Sequence, residues 1–161
     1  MKISGASLGL YIVWAAVLLV WVVGALFAKR TVQQQSDTSR GLHVALLLAG
    51  YSLLAFPGYE RGWLAVHFVP NKLSFQFFGL AIATVGALIA IWARLTLGTN
   101  WSGRVTLKQD HKLIATGPYA FVRHPIYSGL LFAFAGTALV EGTLRCLAGL
   151  ALVFVCYRLK I

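Results

Sequence analysis

Residues Leu8 to Ala28 form a run of 21 residues without a charge, and this run restricts the possible folds more than any other feature. At 1.5 Å per residue it spans about 30 Å, the thickness of a bilayer's hydrocarbon core. It is too long for the apolar region of a signal peptide, and no small-x-small cleavage site follows it, so an uncleaved helix is expected. Three further apolar runs follow. Gly41–Phe56 stops at Pro57-Gly58, Leu73–Leu97 is followed by Gly98 as a C-terminal cap, and Ile126–Leu159 is interrupted at Glu141-Gly142-Thr143. Taken whole, the last run would make a helix of about 51 Å, too long for one crossing. Divided at Gly142 it becomes a hairpin of two short helices.

Composition agrees. Hydrophobic residues make up 59% of the chain and charged residues 11%, against roughly 25% charged in an ordinary soluble domain. So few charges cannot cover a water-facing surface, which excludes a soluble globular domain, a disordered chain and a small disulfide scaffold. The expected architecture is an all-α integral membrane protein, one domain over 1–161. It has about five transmembrane helices near 8–28, 41–57, 73–97, 126–141 and 143–159, and a polar loop over 99–125.

Charge asymmetry orients this topology. Lys and Arg number 14 and Asp and Glu 4, a net charge of +10. With the N-terminus outside, ten basic residues fall inside and four (Lys2, Arg61, Lys72 and Arg145) outside. The 99–125 loop and the C-terminus are therefore expected on the cytoplasmic side. The basic excess suits an anionic lipid leaflet, and no basic amphipathic helix or nucleic-acid motif accompanies it, so the bilayer is the expected partner and nucleic acid is not. Cys146 and Cys156 lie about 15 Å apart along one helix, too far for a disulfide. Neither has metal-ligand spacing, so both are expected to be packing residues and no metal is expected. Gly79, Ala83, Gly86 and Ala90 form a small-residue stripe on the third helix, where another helix can approach closely.

The chemistry is expected in the loop after the third helix, Asp110-His111-Lys112-Leu113-Ile114-Ala115-Thr116-Gly117-Pro118-Tyr119-Ala120-Phe121-Val122-Arg123-His124-Pro125-Ile126-Tyr127-Ser128-Gly129. Gly117-Pro118 marks a turn. Pro125 fits the first position of the fourth helix, where its missing N–H costs nothing, and His124 then takes the N-cap position. Tyr127 lies one turn in, on the same face as His124. The free N–H groups at this helix start favour an anionic group, and Arg123 adds a full positive charge. Gly129 lets a ligand or another backbone come near. From the residues alone this is either an anion site beside aromatic rings or a juxtamembrane segment holding lipid phosphates.

The pattern His-x-Leu-Ile-x-x-Gly-Pro-Tyr, then Arg-His-Pro-x-Tyr-x-Gly, resembles the isoprenylcysteine carboxyl methyltransferase family, integral membrane enzymes that use S-adenosylmethionine. The similarity is detailed from about Leu97 to Gly129. It implies cofactor contacts at His111, Lys112, Leu113, Ile114 and Tyr119, and again at Arg123, His124, Pro125, Ile126 and Tyr127. The cofactor's carboxylate suits the helix start, its sulfonium suits Tyr119 and Tyr127, and its adenine suits Leu113 and Ile114. The implied reaction is methyl transfer from S-adenosylmethionine to a lipophilic acceptor, most like the carboxyl of an isoprenylcysteine, with Arg158 and Lys160 near the family's substrate-contacting arginine. No Gly-rich strand-to-helix turn is present, which excludes a soluble dinucleotide-fold methyltransferase. Family members continue past this arginine into a Glu-rich, Tyr-containing tail, whereas this sequence stops at Ile161. The alternative expectations are a non-catalytic or truncated membrane protein of the same fold that binds lipid or a partner, or an enzyme acting on a small thiol or a phospholipid amine.

Overall fold

The computed structural model describes residues 4–27, 37–56, 61–98 and 115–160. Five α-helices make up this part: α1 (Gly5–Leu26), α2 (Asp37–Ala55), α3 (Leu73–Leu97), α4 (Pro125–Glu141) and α5 (Leu144–Lys160), with 3-10 turns at Gly62–Ala65 and Gly117–Ala120. Local chemistry sets several of the ends. The Ser4 side chain accepts from the Ser7 N–H at 3.1 Å and starts α1. α3 runs over the whole apolar stretch and stops at Gly98. α2 starts at Asp37, four residues before its apolar run, because a helix continues through polar residues once its apolar part is packed. α4 begins with Pro125 at its first position and ends at Gly142, whose φ of +71° is a left-handed conformation that glycine takes without strain. That glycine divides the last apolar stretch into two antiparallel helices.

α3 and α4 make the most extensive contact, followed by α2 with α5 and α1 with α3. The small-residue stripe on α3 is the reason for the first. A Cβ built on Gly129 would lie 2.6 Å from the Ala90 backbone nitrogen, and one on Gly79 would lie 2.8 Å from the Gly136 carbonyl oxygen. At this seam backbone packs on backbone, which small residues permit, and no Cβ fits at the glycines. Gly129, expected to admit a ligand or a backbone, admits the backbone of α3. A second close crossing joins α2 to α5, where a Cβ on Gly149 would lie 2.8 Å from the Gly50 carbonyl oxygen.

α1 runs parallel to α3, with Gly9 against Leu80 at one end and Gly24 against Arg94 at the other. α4 runs antiparallel to α3, and α5 antiparallel to α2. One pole of the molecule therefore gathers the ends of α1, α3 and α5 and the starts of α2 and α4. At the opposite pole the Phe68 N–H donates to the Gly142 carbonyl and the Leu144 N–H to the Val66 carbonyl, both at 2.9 Å. Arg145, 0% exposed, donates there from Nη1 to the Leu53 and Phe56 carbonyls at the end of α2 and from Nη2 to Glu141 at 3.3 Å.

α1 and α3 are long and apolar enough to cross a membrane, and Val44–Ala55 and Pro125–Glu141 are shorter apolar helices. Leu18, Leu19 and Val22 on α1 and Leu88 and Trp92 on α3 stand exposed, as suits helices that face lipid rather than water. Cys146 and Cys156 are both buried, and Cys146 Sγ accepts from Thr143 Oγ1.

Candidate functional site

The pole that gathers the start of α4 is built from α3 outward. In the last turn of α3, Arg94 is 2% exposed. Its Nη1 donates to the Gly98 carbonyl at 3.0 Å, and its guanidinium lies against Gly24 of α1, where no side chain is in the way. The Gly117–Ala120 turn folds back on α3, with Pro118 buried, and a Cβ on Gly117 would meet Thr96 Oγ1 at 3.2 Å. This turn sets Tyr119 within electrostatic reach of both Arg94 and Tyr127. Burial pushes the Tyr119 hydroxyl up to about 12, the Arg94 charge opposing the shift and Tyr127 adding to it. Tyr119 is therefore a neutral hydrogen-bond donor at any pH near 7.

His124 stands at the N-cap of α4, and its side chain makes no capping hydrogen bond. Among the described residues the first-turn N–H groups and the positive end of the helix dipole have no side-chain cap, and exposed Arg123 stands directly before them. This start can take an anionic oxygen. Tyr127 lies beside His124 with ring centroids 6.1 Å apart.

A row of rings runs inward from Tyr127. Its centroid is 4.7 Å from that of Tyr157 on α5. The hydroxyls of Tyr157 and Tyr51 on α2 are 2.9 Å apart. Tyr51 stacks on Phe134 of α4 at 5.1 Å, and Phe134 on Trp14 of α1 at 4.5 Å. Trp14 is fixed in turn by its indole N–H, which donates to Thr137 Oγ1 at 3.0 Å. Each such ring pair contributes roughly 0.5–1.5 kcal/mol beyond its buried area. The inner end of the row forms the wall of an apolar groove of about 410 Å³ between α1, α2 and α4, lined by Trp14, Trp21, Tyr51, Leu54 and Phe134 among others.

The model of the isoprenylcysteine carboxyl methyltransferase (ICMT) family matches residues 78–161, from early α3 to the end of α5. The chain belongs to this family. It is similar to protein-S-isoprenylcysteine O-methyltransferase B of Arabidopsis thaliana, 29% identical over 105 residues, covering 62% of this chain and 48% of that protein. The protein-S-isoprenylcysteine O-methyltransferase of Tribolium castaneum is 27% identical over 95 residues, covering 56% of this chain and 34% of that protein. The cobalt-zinc-cadmium resistance protein CzcN of Cupriavidus metallidurans is 33% identical over 97 residues, covering 60% and 39%. The chain thus spans less than half the length of the curated relatives it matches.

Within the ICMT match, Tyr119, Arg123, His124, Pro125, Ile126 and Tyr127 all lie at one pole. Pro125 is buried, Tyr119, Ile126 and Tyr127 are half-buried, and Arg123 and His124 are exposed. Arg158 lies exposed in the last turn of α5, one residue beyond buried Tyr157. His111, Lys112, Leu113 and Ile114 lie outside the described residues, as does the side chain of Lys160. The motif-based reading missed Tyr51, Tyr157, Phe134 and Trp14, which belong to no motif. Their one signal is chemical, since a tyrosine or tryptophan within an apolar run has a polar atom that needs a partner inside the bundle.

Proposed function

We propose that this ICMT-family chain transfers a methyl group from S-adenosylmethionine to a lipophilic acceptor, a carboxylate of the isoprenylcysteine type. The observation that carries the reading is the continuity between the uncapped start of α4 and the apolar groove, joined through the row of rings. One end of that path suits a charged, water-soluble donor, and the other suits an apolar chain arriving from the bilayer. The five helices cross the membrane, with the α4 start on the cytoplasmic side, where the basic residues concentrate.

The residues at this pole fit the donor. The open first-turn N–H groups of α4 and Arg123 would hold its carboxylate, and the faces of Tyr119 and Tyr127 suit a cation. Leu113 and Ile114 in the preceding loop are proposed for its adenine. The chemistry supplied by the bound cofactor is an electrophilic methyl carbon on a sulfonium. The protein's part is to align the acceptor oxygen with that carbon and to keep water out. A carboxylate is already ionised near pH 7, so no side chain needs to remove a proton. An amine or thiol would require one, and His124 or His111 would be the candidate for it.

The test is incorporation of labelled methyl from S-adenosylmethionine into a farnesylated cysteine carboxylate by membranes containing the chain. Incorporation above that of membranes without the chain is expected, and its absence would contradict the reading. His124→Ala and Tyr127→Leu are each expected to weaken binding of S-adenosylmethionine by roughly threefold to tenfold, the worth of one net hydrogen bond or one cation–ring contact. Unchanged affinity in both variants would remove these residues from the site.

A further inference from the structure

The hydroxyls of Tyr51 and Tyr157 are 2.9 Å apart, with Tyr157 only 4% exposed. Two phenols carry two O–H protons, and their mutual bond uses one of them. Tyr127 brings a third hydroxyl, its ring against Tyr157. Among the described residues these three hydroxyls share a single hydrogen bond, so the Tyr51–Tyr157 pair holds one O–H proton for which those residues supply no acceptor. A buried donor without an acceptor is costly. Glu141, the carboxylate that also lines the groove, lies at the other end of α4. What the pair lacks is a hydrogen-bond acceptor, and it links Tyr51 on the groove wall to Tyr127 in the first turn of α4.

Resting on the function proposed above, we infer that Tyr51 and Tyr157 form the seat for the acceptor's head group. The free O–H of the pair donates to one carboxylate oxygen of the acceptor while its chain lies in the groove along Trp14 and Phe134. The pair touches the acceptor and takes no part in bond making. It selects a charged head, because a carboxylate accepts this bond roughly twice as strongly as an ester carbonyl does.

Farnesylcysteine and its methyl ester, titrated against the full chain in detergent with tryptophan fluorescence as the readout, test the assignment. Trp14 and Trp21 line the groove and report occupancy. The wild type is expected to bind the acid about tenfold more tightly than the ester, as befits one hydrogen bond to a charged group. Tyr51→Phe and Tyr157→Phe keep the rings and are each expected to reduce that preference to less than threefold, with binding of the ester retained. Affinity for S-adenosylhomocysteine should be unchanged in Tyr51→Phe, which a general loss of structure would not allow. Equal binding of acid and ester by the wild type, or a preference that survives both substitutions, would overturn the assignment and leave the proposed function standing. A wild type that binds neither compound would overturn both.

Discussion

Replacing Gly86 with valine is expected to unfold the α3–α4 pair. A Cβ at this position would run into the Ala133 backbone nitrogen and lie 2.6 Å from the Gly129 carbonyl oxygen. Those are backbone atoms, which no rotamer change can move, so the helices must separate. Separation opens the seam along its whole length, because Gly79, Gly129 and Gly136 depend on the same spacing. The expected cost is at least about 3 kcal/mol, the upper part of the range for overpacking. Gly41→Ala is the control, since nothing lies within 4 Å of a Cβ there. That change is expected to stabilise α2 by roughly 0.5–1 kcal/mol through helix propensity. Circular dichroism during thermal denaturation in detergent measures both. Similar melting temperatures for the two variants would contradict the close approach of α3 and α4.

The second large effect is expected at Arg145. Its side chain is fully buried and, among the described residues, holds the Leu53 and Phe56 carbonyls and the Glu141 carboxylate. The Leu53 carbonyl lies in the last turn of α2 and the Phe56 carbonyl just after it, where the helix dipole places negative charge. A single guanidinium thus ties the end of α2 to the α4–α5 turn. Arg145→Met keeps the apolar stem but leaves those acceptors and a carboxylate without their donor. Breaking a buried pair from one side costs about 3–5 kcal/mol. Arg61→Met, at an exposed arginine of the same pole, is expected to stay within about 0.5 kcal/mol. A loss at Arg145 no larger than at Arg61 would show that the arginine is not a tie.

These two positions separate what the sequence reveals from what it conceals. The stripe from Gly79 to Ala90 is readable because small residues at spacings of three and four have one obvious use in an apolar helix. Gly98, Gly142 and Pro125 are readable because each acts locally on its own backbone. The role of Arg145 is not. A charge near a helix end reads as solvated, and only the packing of α2, with Leu53 92 residues away, turns it into a buried tie. Arg94 is hidden in the same manner, since its seat is the bare backbone at Gly24 on another helix. The candidate site divides likewise. His124, Pro125 and Tyr127 form a contiguous motif and meet at one helix start, as the spacing implies. Tyr51 and Tyr157 are 106 residues apart and match no pattern, so their pairing emerges only when α2 packs on α5.

The central claim is that the pole formed by Tyr119 and the start of α4 binds the methyl donor. Calorimetric titration of S-adenosylhomocysteine into the purified chain in detergent tests it most directly. Saturable binding at micromolar strength is the predicted result. No binding in a sample whose circular dichroism shows the helices intact would contradict it.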